Sequence, residues 1–228
     1  MTEIETIGLL ADIHSNFPAL EAVLEDMPAV DVLVCAGDII GYNAMPGECL
    51  EVIRDRCEFV VQGNHDRAVK APSQYSFNQQ AYEGLRLAQE RLSSEQLDWL
   101  GHLPERQLLF DDRLLLVHSH PEQIDSYVYK GDFPEVSTYM EDNTKALVLG
   151  HTHEQAAVDM SQFDRHGIVV NPGSVGQPRD TDWRAAYAVL DLTEPTVDLR
   201  RAEYSREDII YENQTAGLPD ATSDRLKP

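Results

Sequence analysis

The chain has 228 residues, 42% hydrophobic and 25% charged, which fits one large folded domain and excludes a largely disordered protein. Lys plus Arg number 18 against 40 Asp plus Glu, and the resulting net charge of −22 excludes broad electrostatic capture of DNA or RNA. No apolar run approaches the roughly 20 residues of a membrane-spanning helix, and the acidic N-terminus lacks the basic-then-apolar pattern of a secretory signal, so the expected setting is the cytoplasm.

In chain order, residues 6–11 read as a strand. Leu20, Val23, Leu24 and Met27 then recur on one helix face, with Asn16 as cap and Pro18 in the first turn. Residues 32–36 form the next strand, Leu50 and Ile53 mark a helix after Pro46-Gly47, and residues 59–61 form a third strand. This β-α-β-α-β order predicts a parallel sheet covered by helices. Ala81, Leu85, Ala88 and Leu92 keep one helix face, and Ser94-Glu95 opens a second helix through Leu103, with Trp99 and Leu103 facing the core. Residues 108–110 and 114–117, separated by Asp111-Asp112-Arg113, read as a hairpin, and residues 133–140 as a helix. Further strands are expected at 146–149, 156–158, 168–170, 187–190 and 196–199. The whole is read as one domain over residues 1–212, followed by a polar, poorly packed tail over 213–228.

The carboxylates are spread along the chain, and lysine occurs only at Lys70, Lys130, Lys145 and Lys227, a pattern read as adaptation to high salt. Folding and activity are then expected to tolerate or require high salt. A melting temperature that falls steadily as KCl rises to molar concentration contradicts this halophilic reading. Cys35, Cys49 and Cys57 form no CxxC pair and fit a reducing compartment without a disulfide framework.

The chemistry lies where apolar runs end. Five such runs lead directly into Asp12-Ile13-His14, Gly37-Asp38, Gln62-Gly63-Asn64-His65-Asp66, His118, and Gly150-His151-Thr152-His153. In open α/β sheets, sites assemble beyond the carboxyl ends of strands. A lone His or Asp at a strand end ordinarily serves a turn, but five groups of these residue types do not plausibly arise together that way. In extended chain, residues i and i+2 point the same way, so Asp12 and His14 are expected to grip one cation. His151 and His153 share one ion or splay toward two, and the adjacent Asn64 and His65 diverge. Carboxylate, imidazole and amide ligands suit Mn, Fe, Co, Ni or Zn. Seven ligands exceed one tetrahedral site and match two ions sharing a carboxylate, the usual device for displacement at phosphorus.

These motifs, in this order, resemble the calcineurin-like metallophosphoesterase superfamily over roughly residues 5–200. Asp12-Ile13-His14-Ser15-Asn16 and Asn171-Pro172-Gly173-Ser174-Val175-Gly176 are similar to its small bacterial and archaeal phosphodiesterase branch. The resemblance implies an α/β fold of two packed mixed β-sheets flanked by helices, a four-layer sandwich. It implies that Asp12, His14 and His153 hold a first metal, that Asn64, His118 and His151 hold a second, and that Asp38 bridges. It also implies that His65 faces the scissile phosphate with Asp66 orienting it, and that a metal-bridging hydroxide attacks phosphorus. Two divalent transition-metal ions are expected, manganese foremost, acting on a small phosphate ester.

Two departures bear on the substrate. The segment Gly37-Asp38-Ile39-Ile40-Gly41-Tyr42 lacks the Asp-Arg-Gly of the phosphoprotein phosphatase branch, whose Arg clamps phosphate, and the third motif ends in Asp66 rather than Glu. His118 is followed by Ser119-His120-Pro121, where His120 is read foremost as a solvated loop residue. A phosphodiesterase is therefore expected before a phosphomonoesterase, a protein phosphatase or a dinucleoside polyphosphate hydrolase, and a non-catalytic scaffold last. His102 and His166 read as surface residues. Arg179 and Arg184 follow the Asn171–Gly176 loop, where an arginine either binds a phosphate oxygen or pairs a carboxylate. A homo-oligomer is compatible with the sequence.

Overall fold

The computed structural model describes residues 4–226. The N-terminal segment read for a signal pattern therefore lies partly outside the described residues, as do the last two residues of the expected tail. Thr6–Leu10 forms β1, and the Asn16 side chain accepts from the Ala19 N–H to cap α1 (Phe17–Asp26). β2 (Val32–Cys35) follows, and Pro46, with its preset φ, opens α2 (Pro46–Arg56) before β3 (Phe59–Val60). Three helices come next: α3 (Asn64–Ala68), α4 (Gln79–Arg91) and α5 (Ser94–Gly101), the last held by a Ser93–Gln96 capping box.

The second half holds β4 (Arg106–Leu109), β5 (Leu114–Val117), α6 (Phe133–Val136), β6 (Ala146–Val148), β7 (Ala156–Asp159) and β8 (Ile168–Asn171). It closes with β9 (Ala185–Asp191), β10 (Thr196–Ala202), α7 (Arg206–Thr215) and α8 (Asp220–Asp224).

The strands make two five-stranded mixed sheets, ordered β10-β9-β1-β2-β3 and β4-β5-β6-β8-β7. β1, β2 and β3 run parallel in the first, and β5, β6 and β8 in the second. Side chains alternate along each strand and so sort into layers. Ile7, Leu9, Val32, Val34, Leu114, Leu116, Ala146 and Val148 pack between the sheets. Their neighbours Leu10 and Cys35 turn outward to α1 and α2, while Leu115, Val117, Leu147 and Leu149 turn outward to Val128, Phe133 and Val136. The central strands β2, β5, β6 and β8 are buried on both faces, which is why the sequence shows near-continuous apolar runs there. Among the described residues, no helix is long and apolar enough to cross a membrane.

Three local expectations change. The 133–140 helix is one α-turn, α6, continued by a 3-10 turn at Ser137–Tyr139. The hairpin turn runs through Phe110, Asp111 and Asp112, all at positive φ. The poorly packed tail is corrected over its described part: α7 ends and α8 follows within it, with Asn213, Thr222, Ser223 and Leu226 buried. Asn213 donates through Nδ2 to Asn43 Oδ1 at 2.9 Å, so the segment is fastened by a buried amide pair that no apolar periodicity announces.

Candidate metal centre

The five strand-end groups meet at one edge of the sandwich. Their backbone is not extended as the sequence reading supposes. Asp12, His14, Asp38, His151 and His153 have φ between 49° and 69°, the left-handed region. Such residues cost on the order of 1–3 kcal/mol each and persist only where the surroundings over-determine them. Here they do. Asp12, His14 and Ser15 donate backbone N–H bonds to Gly37, Asp38 and Ile39, tying the first loop to the second. The Asn171–Gly176 loop ties the first to the last: Ser174 Oγ donates to Asp12 O at 2.6 Å, and Asn171 Nδ2 donates to Gly150 O and Thr152 Oγ1. Asp12 and His14 thus converge through a hydrogen-bonded left-handed turn rather than through strand periodicity.

Two glycines are required by close approach. A Cβ at Gly63 would stand 2.0 Å from Asp38 Oδ1, and one at Gly41 would stand 2.2 Å from His65 Nδ1.

The side chains form two groups. Asp12, His14 and His153 lie together, as do Asp38, His118 and His151, each with one ligand atom within 4.8 Å of the others. Asp38 joins them, its Oδ2 lying 3.7 Å from His14 Nε2 and 3.5 Å from His118 Nε2. Asn64 Oδ1 lies 3.2 Å from His118 Nε2 and so belongs with the second group. His151 and His153 therefore splay toward different groups.

The donor set fits cations. His14, His118 and His153 each place Nδ1 against a backbone carbonyl, of Ile40, Ala36 and Gln177 respectively. A carbonyl only accepts, so the ring proton sits on Nδ1 and Nε2 carries a lone pair. His151 is pinned in the reverse sense, Nε2 to Asp125 O, leaving Nδ1 as the lone pair. Yet His14 Nε2 faces His153 Nε2 at 3.1 Å, and His118 Nε2 faces His151 Nδ1 at 3.2 Å. Asp12 Oδ1 is buried with no hydrogen-bond partner. Acceptors converging on acceptors repel unless a cation lies among them, and bonds of about 2.1 Å give ligand–ligand edges of roughly 3.0–3.5 Å.

Burial pushes the Asp38 carboxyl up to about 7; it also pushes Asp66 up to about 7, with the Asp38 charge adding to the rise. Burial first, then Asp38, holds Asp12 well above the carboxylate range. Burial lowers His118 to about 4 and His151 to about 3, and holds His14, His65 and His153 well below the imidazole range. In the metal-free protein, protons therefore occupy carboxyls that a cation would take. Raising the pH through about 7 removes the competing proton from Asp38, so Mn2+ affinity is expected to climb by up to about tenfold per pH unit below that point for each proton displaced. Competition titrations at pH 6 and pH 8 measure this, and equal affinities contradict it.

His65 is 4% exposed, and its ring lies beside those of His14, Tyr42 and Phe77 at 4.7, 5.0 and 4.9 Å. Its Nδ1 has no hydrogen-bond partner. It also falls within 4.8 Å of ligand atoms of His14 and Asp38. The expected orienting role of Asp66 is corrected. Its Oδ2 accepts from the N–H groups of Asp38 and Gly63, and its Oδ1 from Ile39, so it fastens the Asp38 loop to the start of α3 and does not hold the His65 ring.

His120 is a half-buried turn residue whose Nδ1 accepts from the N–H groups of Glu122 and Gln123, outside both groups. His102 and His166 are exposed, and Arg184 pairs with Asp182 away from the centre. Arg179 lies in the cleft, with Nη2 donating to the Tyr42 hydroxyl at 3.2 Å.

The centre opens into a cleft of about 320 Å³. Sequence reasoning misses Tyr75, Phe77, Asp125 and Tyr127 in its lining, because they come from loops without periodicity. Tyr127 stacks on His151 with ring centroids 4.4 Å apart, and Asp125 pairs with Arg67. Only the position of Tyr42, directly after Gly41, offers a sequence cue.

Comparisons with known proteins bear on the family and the fold. The family model described as calcineurin-like phosphoesterase superfamily domain matches residues 6–195. An uncharacterized protein of Methanocaldococcus jannaschii is 28% identical, the match covering 96% of each chain. The crystal structure of a metallophosphoesterase from Sphaerobacter thermophilus is 31% identical and covers 98% of each chain at a TM-score of 0.82. A hypothetical protein from Pyrococcus horikoshii OT3, 20% identical, shares the fold over 97% of each chain at a TM-score of 0.83.

Proposed function

Since the chain belongs to the calcineurin-like phosphoesterase superfamily and is a hydrolase of phosphate esters, we propose that its centre holds two divalent metal ions and acts foremost on phosphodiesters. The observation that carries the proposal is Asp38 Oδ2, standing between two groups of converging lone pairs. Asp12, His14 and His153 would hold one ion, Asn64, His118 and His151 the other, and Asp38 both. Manganese is the first expectation, with Fe, Co, Ni and Zn suited to the same ligands.

Divalent ions bound there supply Lewis acidity, lowering the pKa of water at the centre toward about 7 and neutralising charge on phosphate oxygens. The chain's own residues do the rest. The backbone carbonyls of Ile40, Ala36 and Gln177 fix three imidazole rings, so the ligands need no reorganisation during the reaction. The His65 N–H donates to Asp38 Oδ1 at 2.8 Å, which leaves Oδ2 for the centre. The His65 ring lines the cleft and holds a proton for the departing oxygen.

The cleft lining favours a diester. A monoester carries about −1.5 to −2 at pH 7, a diester −1. Among the described residues lining the cleft, Arg179 is the one side chain of fixed positive charge, while Tyr42, Tyr75, Phe77 and Tyr127 offer apolar surface to a second organic group. Turnover of bis-p-nitrophenyl phosphate and p-nitrophenyl phosphate, after loading with each candidate metal, tests the reading. A higher kcat/KM for the diester, best with Mn2+, is expected. Preference for the monoester overturns the diester reading, and a protein without metal or turnover is a scaffold.

A further inference from the structure

We infer that Arg179 grips a non-bridging oxygen of the substrate phosphate, with Tyr42 as its positioning residue. The inference rests on the phosphoesterase reading and adds the residue that binds the anion.

Arg179 is set apart by lying in the cleft of the metal-ligand candidates without an ion pair of its own. The protein has 40 acidic side chains for 18 basic ones, and arginines 54, 67, 86, 184, 200 and 201 all pair with carboxylates. Among the described residues, Arg179 makes no ion pair, and its Nε is buried without a hydrogen-bond partner. Its neighbour Asp180 is already engaged by Arg201. A half-buried guanidinium inside the cleft goes without an ion pair, and placing it beside a cation centre adds repulsion. An anion arriving between them removes both costs.

Its position is also built. The Arg179 N–H donates to His153 O at 3.1 Å, and two residues earlier Gln177 O receives His153 Nδ1. The loop that fixes a metal-ligand candidate therefore fixes the arginine. On the opposite side, Tyr42 has φ 56°, a rare conformation for a bulky residue, and is 5% exposed. That conformation places its hydroxyl against Arg179 Nη2 at 3.2 Å. With Nη2 held there, Nη1 has no hydrogen-bond partner among the described residues and is left for an oxygen atom. A planar fork suits phosphate better than an ammonium does.

Inorganic phosphate is the probe, titrated calorimetrically into the full-length protein with and without Mn2+. Arg179→Ala is expected to weaken phosphate binding roughly ten- to hundredfold, with bound metal unchanged and partial rescue by added guanidinium. Arg179→Lys should recover part of the loss, because it keeps charge without the fork. Tyr42→Phe should weaken binding several-fold and blunt the difference between Arg and Lys at position 179. If Arg179→Ala folds poorly, the Lys and Phe variants read the same contact. Phosphate affinity that is undetectable in the wild type, or unchanged in Arg179→Ala, overturns the inference. Arg179-dependent phosphate binding in a protein that cleaves no ester sinks the phosphoesterase reading alone. Diester turnover with KM and phosphate affinity unchanged in Arg179→Ala sinks the Arg179 role alone.

Discussion

Asp38→Ala is expected to abolish turnover and to strip metal from both sites. Asp38 is the carboxylate that joins the two groups: its Oδ2 stands 3.7 Å from His14 Nε2 in one and 3.5 Å from His118 Nε2 in the other. Replacing groups that merely orient a ligand typically costs 10–100-fold in affinity, so losing a shared ligand should cost more than about 10²-fold at each site. Alanine also lacks the carboxylate that accepts the His65 N–H and tolerates the left-handed backbone less well than Asp or Asn. Asp38→Asn is the companion variant, keeping shape and backbone while removing charge. Bound metal per chain, by elemental analysis, is the readout. Two retained equivalents in the folded variant exclude a bridging role.

His65→Ala is expected to keep the metal and lose the reaction. The ring faces His14, Tyr42 and Phe77, while the preceding Asn64 turns to His118. In the metal-free cleft its burial favours the neutral imidazole; an arriving phosphate anion opposes that shift and favours the protonated ring. Turnover of an alkyl ester should fall by about 10²–10⁴-fold. An aryl ester, which departs as a stable phenolate, should lose much less. Equal losses on both esters point to stabilisation of charge in the transition state rather than protonation. Loss of metal places His65 among the ligands, as its closeness to Asp38 and His14 allows.

The meeting of the strand-end residues is legible in the sequence because each directly follows an apolar run, and parallel strands buried on both faces must end at a common edge. A parallel sheet is legible for the same reason, the pair of packed mixed sheets only through the family resemblance, and at 31% identity the Sphaerobacter metallophosphoesterase shares this fold. The backbone that brings the ligands together is not legible. Asp12 and His14 look like an i, i+2 strand pair, and only the hydrogen bonds from Asp12 and His14 to the Asp38 loop reveal a left-handed turn. Asp66 misleads because adjacency to His65 implies contact, while its carboxylate finds three backbone N–H groups instead. α7 escapes notice because Ile209 and Asn213 are its only buried residues, too few for a periodic stripe, although Ser205 caps it and Glu207 and Asp208 suit its first turn. The partner of Arg179 is invisible in the sequence, since Tyr42 lies 137 positions away.

The central claim is one pair of ions shared by Asp38, and anomalous diffraction from a Mn2+-loaded crystal tests it most directly. The account predicts two manganese peaks, one among Asp12, His14 and His153 and one among Asn64, His118 and His151, about 3.5–4 Å apart with Asp38 Oδ2 between them. A single peak at full manganese loading, or a second ion held without Asp38, contradicts it.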